Sequence, residues 1–190
     1  YRLVDMDTLV FILGMMVLIG YLEVAGFFGR VEAAVLARAR TRRGLLGLVV
    51  ASSGLLSALF MNDTICLMLT PVVLRVTRRA GLAPNAYLVA LATSANIGSA
   101  MTPMGNPQNM LVAVHSGVPF LSFVLKLAPL TLLGLALNAF VVERAYAAEF
   151  GVQAPLPPPP AAAPHADERR MWVCLGATAV LLALFAAGTR

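Results

Sequence analysis

Charge is what this sequence has least of. Of 190 residues, 12% are charged and 59% are hydrophobic, and the mean hydropathy is +0.84. A soluble domain carries about 25% charge and about 45–50% apolar residues. The shortfall excludes a soluble globular enzyme, and the apolar excess excludes a disordered chain. The formal net charge is +5. Its basic residues fall in short clusters between long apolar runs, as in membrane loops, and make no nucleic-acid patch. Cysteine is scarce as well. Cys66 and Cys174 lie inside apolar runs, give neither a disulfide framework nor metal spacing, and read as small apolar packers. The first apolar run is too long for a signal-peptide core and lacks a basic flank, so no cleavable signal is read. With Tyr1 first and Arg190 just beyond an apolar run, the chain is expected to be an excerpt of a longer protein.

What is there is a string of membrane segments, so the expected fold class is an all-α polytopic membrane protein. Residues 8–29 contain one charge, Glu23, and suffice for one crossing: about 22 residues, or roughly 33 Å of helix. Arginines cluster at Arg30, Arg38, Arg40, Arg42 and Arg43, and again at Arg75, Arg78 and Arg79. The apolar stretch between them, 44–74, holds about 31 residues, too few for two crossings, which need about 40. With both flanks basic, both are expected in the cytoplasm. The stretch therefore reads as a re-entrant hairpin with Asn62, Asp63 and Thr64 at its tip. The alternative is a plain turn at the outer surface, with Thr64 capping the next helix.

Residues 85–114 are long enough to cross but contain Thr93-Ser94-Ala95-Asn96-Ile97-Gly98-Ser99 and Thr102-Pro103-Met104-Gly105-Asn106-Pro107-Gln108-Asn109. Prolines, glycines and asparagines at this density break a helix. We expect a half-helix to about Thr93, an unwound stretch, and a second half to about Val114. A kink that only packs helices is the alternative. A short outer loop at His115–Val118 leads to a span at 119–142. Residues 151–170 read as a Pro-rich cytoplasmic linker, and 171–190 as a last span. In this scheme every basic cluster from Arg30 to Arg170 lies on one side.

Two polar breaks can meet near the bilayer midplane, which is how secondary transporters build ion and substrate sites. Carbonyls and Asn, Ser and Thr oxygens suit a small cation, and half-helix N-termini suit an anion. Asp63 reads as a cation ligand, a titrating proton carrier, or a charge capping its helix. Glu23 and Lys126 read as structural, with Lys126 snorkelling toward the interface. No pair of intramembrane acids and no Ser-His pairing suggests an enzyme.

Asn62-Asp63-Thr64-Ile65-Cys66-Leu67-Met68-Leu69-Thr70-Pro71 resembles the hairpin signature of the arsenite-permease branch of the ion transporter superfamily. Asn96-Ile97-Gly98-Ser99 through Asn109 resembles its second signature, an Asn-Ile-Gly-Gly run leading to Thr-Pro-x-Gly-Asp-Pro-Pro-Asn. Asp7-Thr8-Leu9-Val10-Phe11 with Gly14-Met15-Met16 is similar to the same group. That group also contains citrate transporter-like and divalent anion:sodium symporter proteins, and this chain looks most like bacterial anion transporter permeases.

The resemblance implies two inverted repeats, each with a hairpin and a broken helix, with 1–150 as the first repeat and 171–190 as the first span of the second. It implies a secondary active transporter of an inorganic or citrate- or dicarboxylate-like anion, coupled to Na⁺ or H⁺ and without other cofactors. Its alternative is an arsenite efflux permease or Na⁺/H⁺ antiporter of the same superfamily. The implied cation ligands are Ser57, Asn62, Asp63, Asn96 and Gly98. The implied substrate contacts are Thr64, Thr102, Gly105, Asn106 and Asn109. Asn62 stands at the asparagine of the Ser-Asn-Thr motif of sodium-coupled dicarboxylate carriers and Ser57 at its leading serine, while Met61 and Asp63 replace the flanking serine and threonine. Asn106 replaces the second-signature aspartate and Gln108 its second proline. A multi-pass protein of a bacterial-type inner membrane is expected, as a homodimer, with a small anion and the lipid bilayer as partners and no nucleic acid.

Overall fold

The computed structural model describes residues 6–150 and 167–186, and every regular element among them is helical. In chain order these are α1 (Met6–Val24), α2 (Phe27–Arg38), α3 (Arg42–Leu59), α4 (Asn62–Arg79), α5 (Asn85–Ser99), α6 (Pro107–Ser116), α7 (Phe120–Ala145), the single turn α8 (Ala147–Phe150) and α9 (Glu168–Ala186). The chain is an all-α polytopic membrane protein. By length and composition α3 and α7 can each cross a membrane, and the bent α1–α2 pair would make a third span.

The core is built on α3 and α5, which run parallel. Tyr87 donates to the Arg42 carbonyl, Gly98 lies against Gly54, and Thr102 reaches Ala58, so the contacts climb both helices together. Glycine makes that approach possible. A Cβ at Gly98 would stand 2.1 Å from the Gly54 carbonyl oxygen. Small residues at helix interfaces are how membrane helices pack closely where water provides no driving force. Antiparallel α7 crosses this pair, with Leu135 over Gly54 and the Asn138 amide 2.8 Å from the Ser94 hydroxyl.

α3 begins at Thr41, whose side chain accepts the Gly44 amide, and ends in two extended residues, Phe60 and Met61. α4 then folds back. Leu45 and Val49 near the start of α3 meet Val73 and Val76 near the end of α4 around one small apolar cavity. α4 stops at Gly81, whose φ of 63° lets the chain turn. Apolar side chains such as Leu13 and Val24 on α1, Leu130 and Leu133 on α7, and Trp172 on α9 face outward.

Several boundaries differ from the sequence expectation. The first span, 8–29, is two helices bent by 62° at Gly26, which adopts φ 83°, and the basic stretch after it is helical to Arg38. The hairpin arms run beyond 44–74 at both ends, so Arg75, Arg78 and Arg79 end α4 rather than follow it, where cations suit the helix dipole. α5 continues past Thr93 to Ser99. Its polar residues are satisfied without unwinding, because Thr93 and Ser99 bond back to the Val89 and Asn96 carbonyls. The last helix starts at Glu168 rather than Met171. Linker residues 151–166, and 187–190 at the end of the last span, lie outside the described residues.

Candidate transport site

The break between α5 and α6 is Ala100–Asn106, and the α3–α4 tip meets it. The Asn62 backbone N–H donates to the Gly105 carbonyl at 3.1 Å. The Asn62 amide donates to the Asn96 side-chain oxygen at 2.9 Å. The Thr102 hydroxyl donates to the Ala58 carbonyl at 2.5 Å. The cap of α4, Met61, has no side-chain cap bond, so the break's Gly105 carbonyl takes one of the N–H groups that a helix start leaves unpaired.

α6 is organised from within. Asn106 caps it, accepting the Asn109 N–H at 2.8 Å, and Pro107 follows at the first helical position, where a missing N–H costs nothing. The Asn109 amide reaches back to the carbonyls of Ser99, Ala100 and Thr102 at 3.1–3.3 Å. Those are carbonyls at the end of α5 and in the break, and that of Thr102 also accepts the Gly105 N–H at 3.3 Å. Gly105 is required here, since a Cβ would stand 2.1 Å from the Ser99 oxygen.

Between the two helix starts lies a polar cleft of about 460 Å³, lined by Asn62, Asp63, Asn96, Asn106, Pro107, Gln108 and Asn109. Five of these seven side chains are carboxamides. Asp63 supplies the one charge in the lining and is exposed. Two helix N-termini bring partial positive charge to the same place. The chemistry offered is therefore mixed, with oxygens and one carboxylate for a cation and N–H ends for an anion.

The structure brings together Asn62, Asp63, Asn96, Asn106 and Asn109 of the sequence-derived residues. The others lie behind the lining. Ser57 is fully buried on α3, and its hydroxyl has no partner among the described residues; the Asn62 side-chain oxygen is likewise buried and unpaired. Unsatisfied buried oxygens are costly and invite a ligand. Gly98 packs on Gly54, Gly105 packs on Ser99, Thr102 is buried against Ala58, and Thr64 is half-buried in the first turn of α4. Gln108 lines the cleft and was noted in the sequence only as a departure from a signature. Ser99, buried between Asn96 and Asn106, carried no signal beyond its place in the run. Among the described residues no group of three His, Cys, Asp or Glu could hold a metal ion, so a cation here would take amide, hydroxyl and carbonyl oxygens beside Asp63.

The chain is similar to known membrane proteins. It is 40% identical over 142 residues to a silicon efflux transporter of Oryza sativa subsp. japonica, covering 75% of this chain and 29% of that protein. It is 34% identical to the putative transporter arsB of Dictyostelium discoideum, over 73% of this chain and 25% of that one. It is 30% identical to the inner membrane protein YbiR of Escherichia coli, over 94% of this chain and 47% of that one. The matches thus span a quarter to about half of these relatives. No solved structure matches. The citrate transporter family profile covers residues 1–189. With almost the whole of this chain matched, the chain belongs to the citrate transporter family, a family of transporters and not of enzymes.

Proposed function

We propose that this chain is the first repeat of a secondary active transporter that moves a small inorganic or citrate-like anion with Na⁺ or H⁺. The observation that carries the reading is the meeting of two helix starts, α4 and α6, at a cleft with a single carboxylate. A cation at Asn62 and Asp63, completed by buried oxygens such as that of Ser57, neutralises Asp63 and knits the two tips. The anion then binds beside it against the helix N-termini, with the Asn96 and Gln108 amides within the same cleft. Thr102 and Asn109, whose donors are spent on the backbone, act by holding the break. The α3–α4 hairpin enters and leaves from the cytoplasmic face, and the full protein works as a homodimer in a bacterial-type inner membrane.

A second reading, export by the same fold, draws on the relative named as an efflux transporter and on the absence of a basic side chain from the lining.

The test is charge movement by the full-length protein in proteoliposomes on a solid-supported membrane, with citrate, succinate, sulfate or arsenite added under Na⁺ or pH gradients. A saturable current requiring one anion and one cation, and lost in Asn62→Ala, is expected. Cation- or pH-driven signals indifferent to every anion would reject anion coupling and favour Na⁺/H⁺ antiport by the same fold.

A further inference from the structure

One side chain joins the hairpin tip, the end of α5 and the start of α6 through a chain of polar bonds. Asn62 donates to the Asn96 side chain at 2.9 Å. The Ser99 hydroxyl donates to the Asn96 carbonyl at 2.8 Å. The Asn106 amide donates to that same hydroxyl at 3.0 Å. The Asn106 oxygen accepts the Asn109 N–H at 2.8 Å. Ser99 is fully buried at the middle of this chain.

Donor and acceptor chemistry alone fixes the orientation of Asn106. A backbone N–H can only donate, so the Asn106 atom facing Asn109 must be oxygen. The atom facing Ser99 is then the NH₂ group, which needs an acceptor. The hydroxyl of Ser99 accepts with a lone pair and sends its own proton to the Asn96 carbonyl. A carboxylate at position 106 would break this order. It could still cap α6, but it has no proton for Ser99. The hydroxyl would turn its proton to the carboxylate and release the main-chain carbonyl of Asn96 in the last turn of α5, the turn whose Asn96 side chain meets Asn62.

We propose that Ser99 is a positioning residue of the transport site, holding Asn106 as a neutral helix cap so that the formal charge of the cleft is carried by Asp63. The proposal rests on the cation-coupled reading above. Asn106 has both polar ends engaged and acts on the cation through the shape of the break. Ser99 touches no ligand; it sets where Asn96 and Asn62 stand.

The test is a double-mutant cycle in the full-length protein with Ser99→Ala, Asn106→Asp and the pair. The first readout is the half-saturating Na⁺ concentration, taken from the Na⁺-induced rise in the thermal unfolding midpoint. The second is the split between KM and kcat for Na⁺-driven citrate uptake. Ser99→Ala is expected to raise the half-saturating Na⁺ concentration and KM about 3- to 10-fold, the scale of one lost hydrogen bond, with a smaller change in kcat. In the Asn106→Asp background the same substitution is expected to have a different effect, giving non-additivity. Ser99→Cys, nearly isosteric but a weak acceptor, gives an intermediate shift and keeps the test open if the alanine variant is unstable. Additive effects, or an unchanged Na⁺ dependence in both Ser99 variants, would overturn the proposal. If wild-type protein shows no Na⁺ response, the sodium form of the transport reading fails, and the cycle in unfolding midpoints without Na⁺ still decides the Ser99–Asn106 coupling: additivity there overturns it.

Discussion

Asp63 and Asn109 both face the cleft, but their surroundings give them different work. Asp63 sits in the first turn of α4, where a negative charge contributes about 0.3–1 kcal/mol through the helix dipole. Asp63→Asn keeps the shape and removes the charge. Its unfolding midpoint is therefore expected to stay close to wild type while the cation dependence of transport is lost; normal transport with wild-type cation dependence would remove Asp63 from coupling. Asn109 is the reverse case. Its amide holds three backbone carbonyls; Asn109→Ala takes it from those of Ser99 and Ala100 and leaves that of Thr102 with the Gly105 N–H, at a cost of about 1–3 kcal/mol. Calorimetry of the full-length protein should show that loss with or without substrate. Gln108→Ala is the contrast: the side chain is exposed in the cleft and unbonded to the break. It should leave the midpoint unchanged and alter substrate KM alone.

Between elements, the decisive feature is the absence of a side chain. Gly98 lies against the backbone of Gly54, whereas Gly47, also on α3, has nothing within 4 Å of a built Cβ. Gly98→Ala must push α3 from α5, an overpacking cost of about 1–3 kcal/mol, and should lower the midpoint and disturb the tip contacts. Gly47→Ala should be neutral or stabilising, since alanine is the better helix former by about 1 kcal/mol. Equal midpoints for the two variants would refute the close packing of α3 on α5. The sequence set Gly98 apart only as part of a polar run and an implied cation ligand; that its role is close packing on Gly54 is a tertiary fact. Composition alone made the membrane class and the helical fold legible, and the paired polar runs located Asn62, Asp63, Asn96, Asn106 and Asn109. What stayed hidden is tertiary. Residues 94–99 read as the start of an unwound stretch, yet the Asn138 and Asn62 amides reach Ser94 and Asn96 in a helix that continues to Ser99. The bend at Gly26 lay inside what hydropathy shows as one run. Asn106 was visible as a replaced aspartate, whereas its partner Ser99, at the second glycine of the same signature, was not.

For the molecule as a whole, α7 serves as a ruler for the depth of the site. Its end is fixed at the basic pole, where Arg43 meets Glu143 at 3.0 Å, Arg42 holds the Glu149 carbonyl at 2.8 Å, and Arg30 pairs with Glu168 at 2.6 Å. The first two contacts gather the basic start of α3 and the ends of α7 and α8 at one end of the bundle, and the third ties α2 to the start of α9. From that pole α7 passes Ser94 at Asn138 and Ile97 at Gly134. The same register puts the hairpin tip near Pro129. About nine residues of α7 remain beyond it, ~14 Å of helix. If α7 crosses the bilayer, the tip stops well inside it, which favours the re-entrant reading although α3 alone is long enough to cross. With Cys66→Ser and Cys174→Ala as background, three single sites test this against a bulky, membrane-impermeant maleimide. Thr41→Cys should react from the cytoplasmic side and Ser116→Cys from the outer side. Leu59→Cys should react from neither, and a spin label there should report the depth found at Leu130→Cys. Outer-side labelling of Leu59→Cys as complete as that of Ser116→Cys would mean that the hairpin crosses fully, and the cleft would then be a surface feature rather than a site held within the membrane.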